Sequence, residues 1–164
     1  MNQKEEKIQL EENIEQWISN YIDKSLSGSL IQIYKDVNPS KINSLITQSI
    51  KNISMFDYSC DFFVLFKLHG EYQYILINRT IKSIGIVDIG EIVTYSKISS
   101  PYQAFLISSK GFSSEIGNFL TNEHTTDRLL KYNNNTVIGF QMTSRSPNKD
   151  SILPISKRNL FDGL

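Results

Sequence analysis

Asp61-Phe62-Phe63-Val64-Leu65-Phe66 and Tyr72-Gln73-Tyr74-Ile75-Leu76-Ile77 are two β-prone, largely apolar runs, with His69-Gly70-Glu71 between them. Successive side chains of a strand point to opposite faces, so a run that is apolar at nearly every position predicts a central strand covered on both sides. The Gly70 link predicts a hairpin. Downstream, polar Asn78-Arg79-Thr80 marks where the second run leaves the core. Asp88 is expected to cap a helix carrying Ile89, Ile92, Val93 and Tyr95, and Pro101 to end it. Ala104 to Ile107 predicts a third strand, Gly111 a turn, and Ser113 or Ser114 the cap of a helix burying Phe112, Ile116, Phe119 and Leu120. A last strand is expected over 136–142. If the strands ending at Ile77 and starting at Ala104 lie parallel, the helix between them is a crossover. The fold class is α/β, a mixed central sheet flanked by helices.

Upstream, Leu10, Ile14, Trp17, Ile18, Tyr21 and Ile22 recur at spacings of three and four, the period of one helix face. After a break at Ser25–Ser29, Leu30, Ile33, Tyr34 and Val37 keep helical register. Asn38-Pro39 starts a further expected helix over 39–53, with Ile42, Leu45, Ile46, Ile50 and Ile53 as its stripe. The chain thus divides into N-terminal helices over 8–53 and a core over 56–142, together one domain over 1–142. Residues 143–164 are expected to form a polar, mobile tail ending in the apolar pair Leu160-Phe161.

Composition narrows the function. The 164 residues suit one domain, and 40% hydrophobic residues can build a core. Seventeen Lys+Arg balance seventeen Asp+Glu, which argues against a non-specific nucleic-acid coat. No apolar run reaches the roughly 18 residues of a membrane span, and the N-terminus has no signal-peptide pattern. Cys60 stands alone, so no internal disulfide or cysteine-based zinc site is expected. These features together predict a cytoplasmic protein with no membrane contact. There is no phosphate loop, dinucleotide fingerprint, nucleophile elbow or metalloprotease helix. His69 and His124 read as surface residues and Cys60 as a small buried one. The aromatic-rich hairpin, from Phe56 to Tyr74, reads as core packing rather than a base-stacking platform.

One constellation carries chemistry. Asp61 opens a strand, the hairpin returns to Asn78-Arg79-Thr80, and a helix and a strand follow, closing on Phe105-Leu106-Ile107-Ser108-Ser109-Lys110-Gly111-Phe112-Ser113. Over roughly residues 56–120 this layout resembles the restriction-endonuclease-like, PD-(D/E)XK, fold, Mrr-type members included. In that family an Asp starts the second core strand and an acidic-x-Lys triplet ends the third. The resemblance implies a site at Asp61, Asn78, Thr80 and Lys82. Asp61 matches the family Asp, Asn78 falls at the acidic position and Thr80 at the lysine position, so the motif is degenerate. Lys82, Glu91, Lys97, Asp57 and Glu15 are neighbours that can substitute for the missing charges. An active site would hold Mg²⁺ through Asp61 and Glu91, because a carboxylate-bound Mg²⁺ polarises a phosphate and acidifies water. An inactive one needs no cofactor.

Arg79, Lys82 and Lys110 are the candidate nucleic-acid contacts, since phosphates require positive charge and reach. Two of the three motif positions lack the family charge. The expectation is therefore an accessory or interaction protein with a protein partner, DNA or RNA and a homodimer remaining open. The alternative is a Mg²⁺-dependent nuclease with relocated residues.

Overall fold

A computed structural model of the chain describes residues 2–42, 45, 50, 53 and 57–163. Helix α1 (Gln3–Asn20) begins in a reciprocal cap. The Asn2 side chain accepts the Glu5 N–H at 2.9 Å, and the Glu5 carboxylate accepts the Asn2 N–H at 3.0 Å. A wider π turn, Tyr21–Ser25, continues it. Strands β1 (Ser29–Val37), β2 (Cys60–Leu68) and β3 (Glu71–Thr80) form an antiparallel meander. The β2–β3 link is the two-residue turn His69-Gly70, both at positive φ (49° and 89°), which matches the right-handed twist of paired strands.

Helix α2 (Ile86–Ser99) carries the chain to β4 (Gln103–Ser108), parallel to β3. Short helices α3 (Ser114–Leu120) and α4 (Glu123–Leu130) follow, then a small ribbon of β5 (Lys131–Tyr132) and β6 (Asn135–Thr136). Strand β7 (Ile138–Thr143) lies parallel to β4, and β8 (Ser146–Pro147) pairs back on β7. The six-stranded sheet runs β1-β2-β3-β4-β7-β8. The mixed α/β architecture is as expected, and the two runs that predicted it lie inside the sheet.

Pleating divides β2 and β3 between two cores. Phe62, Val64, Phe66, Ile75 and Ile77 pack toward α1, where Ile14, Trp17 and Ile18 are buried. Phe63, Leu65, Tyr74 and Leu76 pack toward α2, against Ile89 and Ile92. Each strand is buried on both faces because each face has its own helical layer.

Four expectations are corrected. Residues 29–37 are a strand, not a second helix: apolar residues at 30, 31, 33, 34 and 37 satisfy either period, and pairing with β2 decides between them. The segment after Thr143 is not a free polar tail. Ile152, Leu153 and Phe161 are buried, and Leu153 exchanges both backbone hydrogen bonds with Gly139 at 2.9 Å. Helix α2 starts at Ile86, and Asp88 caps it from inside by accepting the Gly85 N–H at 2.8 Å. The helix expected over 39–53 opens as a 3-10 turn, Pro39–Lys41, capped by Asn38, with Ile42 extended. Apart from Ile42, Leu45, Ile50 and Ile53, the remainder of that helix lies outside the described residues, as does Phe56.

Gly139 is fixed by packing rather than by φ. A Cβ there would lie 2.4 Å from the tip of the Phe112 ring. Gly139→Ala is expected to cost about 2 kcal/mol, seen as a lower urea midpoint at unchanged slope. The cost should fall in a Phe112→Leu background, where the ring is gone.

Candidate functional site

Asp61 stands at the start of β2 and Arg79 near the end of β3, and the hairpin register brings them together. Arg79 donates its backbone N–H to Asp61 Oδ2 at 2.7 Å, and its guanidinium bonds Asp61 Oδ1. The same guanidinium donates to Glu11 Oε1 through Nε at 3.2 Å and through Nη2. Asp36 Oδ1 lies 3.4 Å from Nη2, and the ring of Phe62 lies 5.4 Å beneath. Arg79 therefore ties α1, β1 and β2 to β3 through three carboxylates. Its side chain is 4% exposed.

The electrostatics follow from that burial. Burial pushes the Asp61 carboxyl above its ordinary pKa, against the pull of the Arg79 N–H and guanidinium, while Asp36 adds a further upward push. Burial alone would lower Arg79. The Glu11 hydrogen bond and the charges of Asp61, Glu11 and Asp36 outweigh it, and the guanidinium is held more firmly protonated than usual. Lys7 approaches Glu11 at 4.0 Å from the solvent side. A cavity of about 240 Å³ opens beside the cluster, lined by Lys7, Asp61, Arg79, Thr80 and Ile81.

The other expected site residues are placed as follows. Asn78 and Thr80 flank Arg79 on β3, so strand alternation points them to the opposite face. Thr80 Oγ1 accepts the Lys82 N–H at 3.1 Å, and the Lys82 carbonyl accepts the Ser108 hydroxyl at 2.6 Å. The Lys82 side chain is exposed. Lys110 is also exposed and pairs with Glu6 at 3.3 Å. Hydrogen bonds from Ser109 and Lys110 hold the Glu6 carboxyl below its usual pKa. Glu15 pairs with Lys35 at 2.6 Å.

Two placements depart from expectation. Arg79 is turned inward onto carboxylates instead of outward to a phosphate. Glu91 is exposed on α2, in the layer across the sheet from α1, beside Tyr95, so Asp61 and Glu91 do not form a metal pair. Cys60 is buried, and burial, with Asp61 adding, pushes its thiol up to about 12, which makes it inert.

Glu11 and Asp36 are the members of the cluster that sequence reasoning missed. Glu11 lies one helical turn from Lys7 and Glu15, which hid it among solvated charges. Asp36 became a candidate only once 29–37 was a strand beside Asp61.

The residues present do not fit a divalent cation. The carboxylates that could ligate one are turned onto a guanidinium, and among the described residues no group of three or more acidic, histidine or cysteine side chains is arranged to hold a metal. A guanidinium supplies positive charge and directed donors but no vacant coordination position, so it cannot acidify a bound water as a metal does. Buried as it is, Arg79 works as a cross-link between four elements.

Among the described residues no helix is long and apolar enough to cross a membrane. Compared with known proteins, the chain matches no family model, no curated protein and no solved structure.

Proposed function

We propose that the chain is a nuclease-fold accessory or interaction protein, without phosphodiester chemistry of its own, acting in nucleic-acid metabolism or defence. The observation that carries this reading is Arg79, which engages Glu11, Asp36 and Asp61 where a catalytic site of this kind would need free carboxylates. The element order supports the kinship on which the reading rests. A helix leads into three antiparallel strands, then a helix and a parallel strand, with Asp61 opening the second strand of the meander. On this reading the ancestral site has become structural, a charged clasp that holds α1 against the sheet, and the cytoplasm is the proposed location.

The test is direct. Purified protein is incubated with supercoiled and linear DNA and with single-stranded RNA, in Mg²⁺ and in Mn²⁺. The expected result is no cleavage, with no rise in Tm on adding Mn²⁺. Metal-dependent cleavage that disappears in Asp61→Asn would overturn the proposal and establish a nuclease with relocated partners.

A further inference from the structure

The apolar face of α1 and Phe161 near the C-terminal end cover one another. Phe161 stacks on Trp17 and Tyr21, with ring centroids 6.0 and 6.1 Å apart, and meets Phe105 and Phe140 edge-on. These rings form an aromatic box on the α1 side of the sheet, and residues 155–163 lie across it as a strap. Beyond Pro154 the strap is a 3-10 turn, Ile155–Phe161, in which Phe161 is the buried residue, while Ile155 and Leu160 are each 43% exposed. Three cavities of about 220, 290 and 310 Å³ border it. One lies against Thr121 and Thr126, one against Phe112 and Gln141, and one against Tyr21 and Leu26. Its outer fastenings are an exposed ion pair, Lys149–Asp162, at 2.7 Å, and the Arg158 guanidinium, which donates to the Ile152 and Asp150 carbonyls at 3.3 and 2.6 Å. Inside the box the Trp17 indole N–H is buried and has no hydrogen-bond partner among the described residues.

We infer that residues 155–163 are a detachable strap over an aromatic docking site, and that the site's occupant is a short peptide segment of a partner protein presenting an aromatic anchor followed by a carboxylate. The inference rests on the interaction-protein reading. The strap itself shows what the box accepts: one aromatic ring, followed by a carboxylate for Lys149. It also shows what the box lacks. An occupant that brings a hydrogen-bond acceptor to the Trp17 N–H makes a bond the strap leaves unmade, and so has a basis for displacing it. A strap that borders open clefts, with Phe161 as its one buried side chain and its other fastenings at the surface, belongs among the segments that open without global unfolding.

The test uses the full chain. Hydrogen exchange at the Lys157 and Asp162 amides, which bond to Pro154 and Asn159 carbonyls, is expected at least about tenfold faster than at β2 and β3 amides. Trp17 is the sole tryptophan, so its emission reports the box. In Phe161→Ala it is expected to shift to the red and to quench more readily with acrylamide. A synthetic peptide copying residues 155–163 should reverse both changes, and the same peptide with Phe161→Ala should not. Exchange of the strap amides only through global unfolding would overturn the inference, and this measurement decides the matter if Phe161→Ala does not fold. Failure of the copied peptide to bind a folded Phe161→Ala chain would also overturn it. Neither result bears on whether the protein cuts nucleic acid.

Discussion

Arg79→Met should lower the unfolding free energy at pH 7 by about 3 kcal/mol, the low end for removing one partner of a buried pair because Glu11 and Asp61 keep some contact with solvent. Methionine fills much of the space over Phe62, so the loss is chiefly electrostatic: carboxylates from α1 and β2 are left facing each other with no cation. The pH dependence gives the sign. Without the guanidinium, burial and the nearby Asp36 are left unopposed, and the folded-state Asp61 carboxyl is raised further above its unfolded value. A carboxyl raised in the folded state supports folding below the unfolded pKa and loses that support as pH rises through the folded one. The deficit of the variant should therefore be largest near neutral pH and shrink on acidification. Urea titrations across that range would show the gap to wild type closing. The triple variant Glu11→Gln, Asp61→Asn, Arg79→Met should recover most of the loss at pH 7, since no buried charge remains. A loss smaller than about 0.5 kcal/mol, or a gap indifferent to pH, would mean that the clasp is a surface ornament and would weaken the functional proposal with it.

The clasp also shows what a single sequence discloses. Helix α1, the hairpin, α2, β4 and the α3 cap are local events: their periods, turn residues and caps are set within about a dozen positions, and each is visible in the residues that form it. Strand β1 is different. Leu30, Ile31, Ile33, Tyr34 and Val37 serve a helix face or a strand equally well, and only the partner strand, more than twenty residues downstream, breaks the tie. The tail misled for a related reason. Between Thr143 and Ser151 the chain is polar because it runs over the surface, yet Ile152, Leu153 and Phe161 are individually spaced anchors that no periodic pattern reveals. At the site, Asp61 was legible from its place before an apolar run. The role of Arg79 was not, because a basic residue at a strand end has the same sequence signature whether it turns out to solvent or in to three carboxylates. Charge balance over the whole chain does not report that local choice.

The aromatic box supplies the other large expected effect. Trp17 is 1% exposed and touches rings from the π turn, β4, β7 and the strap. Trp17→Ala would remove the side chain that joins all of them and leave a void that rigid neighbouring strands cannot close, so the expected loss is about 4 kcal/mol. Trp17→Phe should behave quite differently. It keeps one aromatic ring at the junction, and it also removes an indole N–H that is buried without a partner, a donor whose desolvation goes uncompensated in the native chain. These two changes oppose each other, and the net is expected to stay within about 1 kcal/mol of wild type, well short of an ordinary large-to-small change. Equilibrium urea unfolding followed by far-UV circular dichroism, which does not depend on the tryptophan, would measure both. If Trp17→Phe were as damaging as Trp17→Ala, the indole N–H would have to be making a bond in solution. The box would then already be satisfied with its strap in place, with no bond left over for a competing segment to gain.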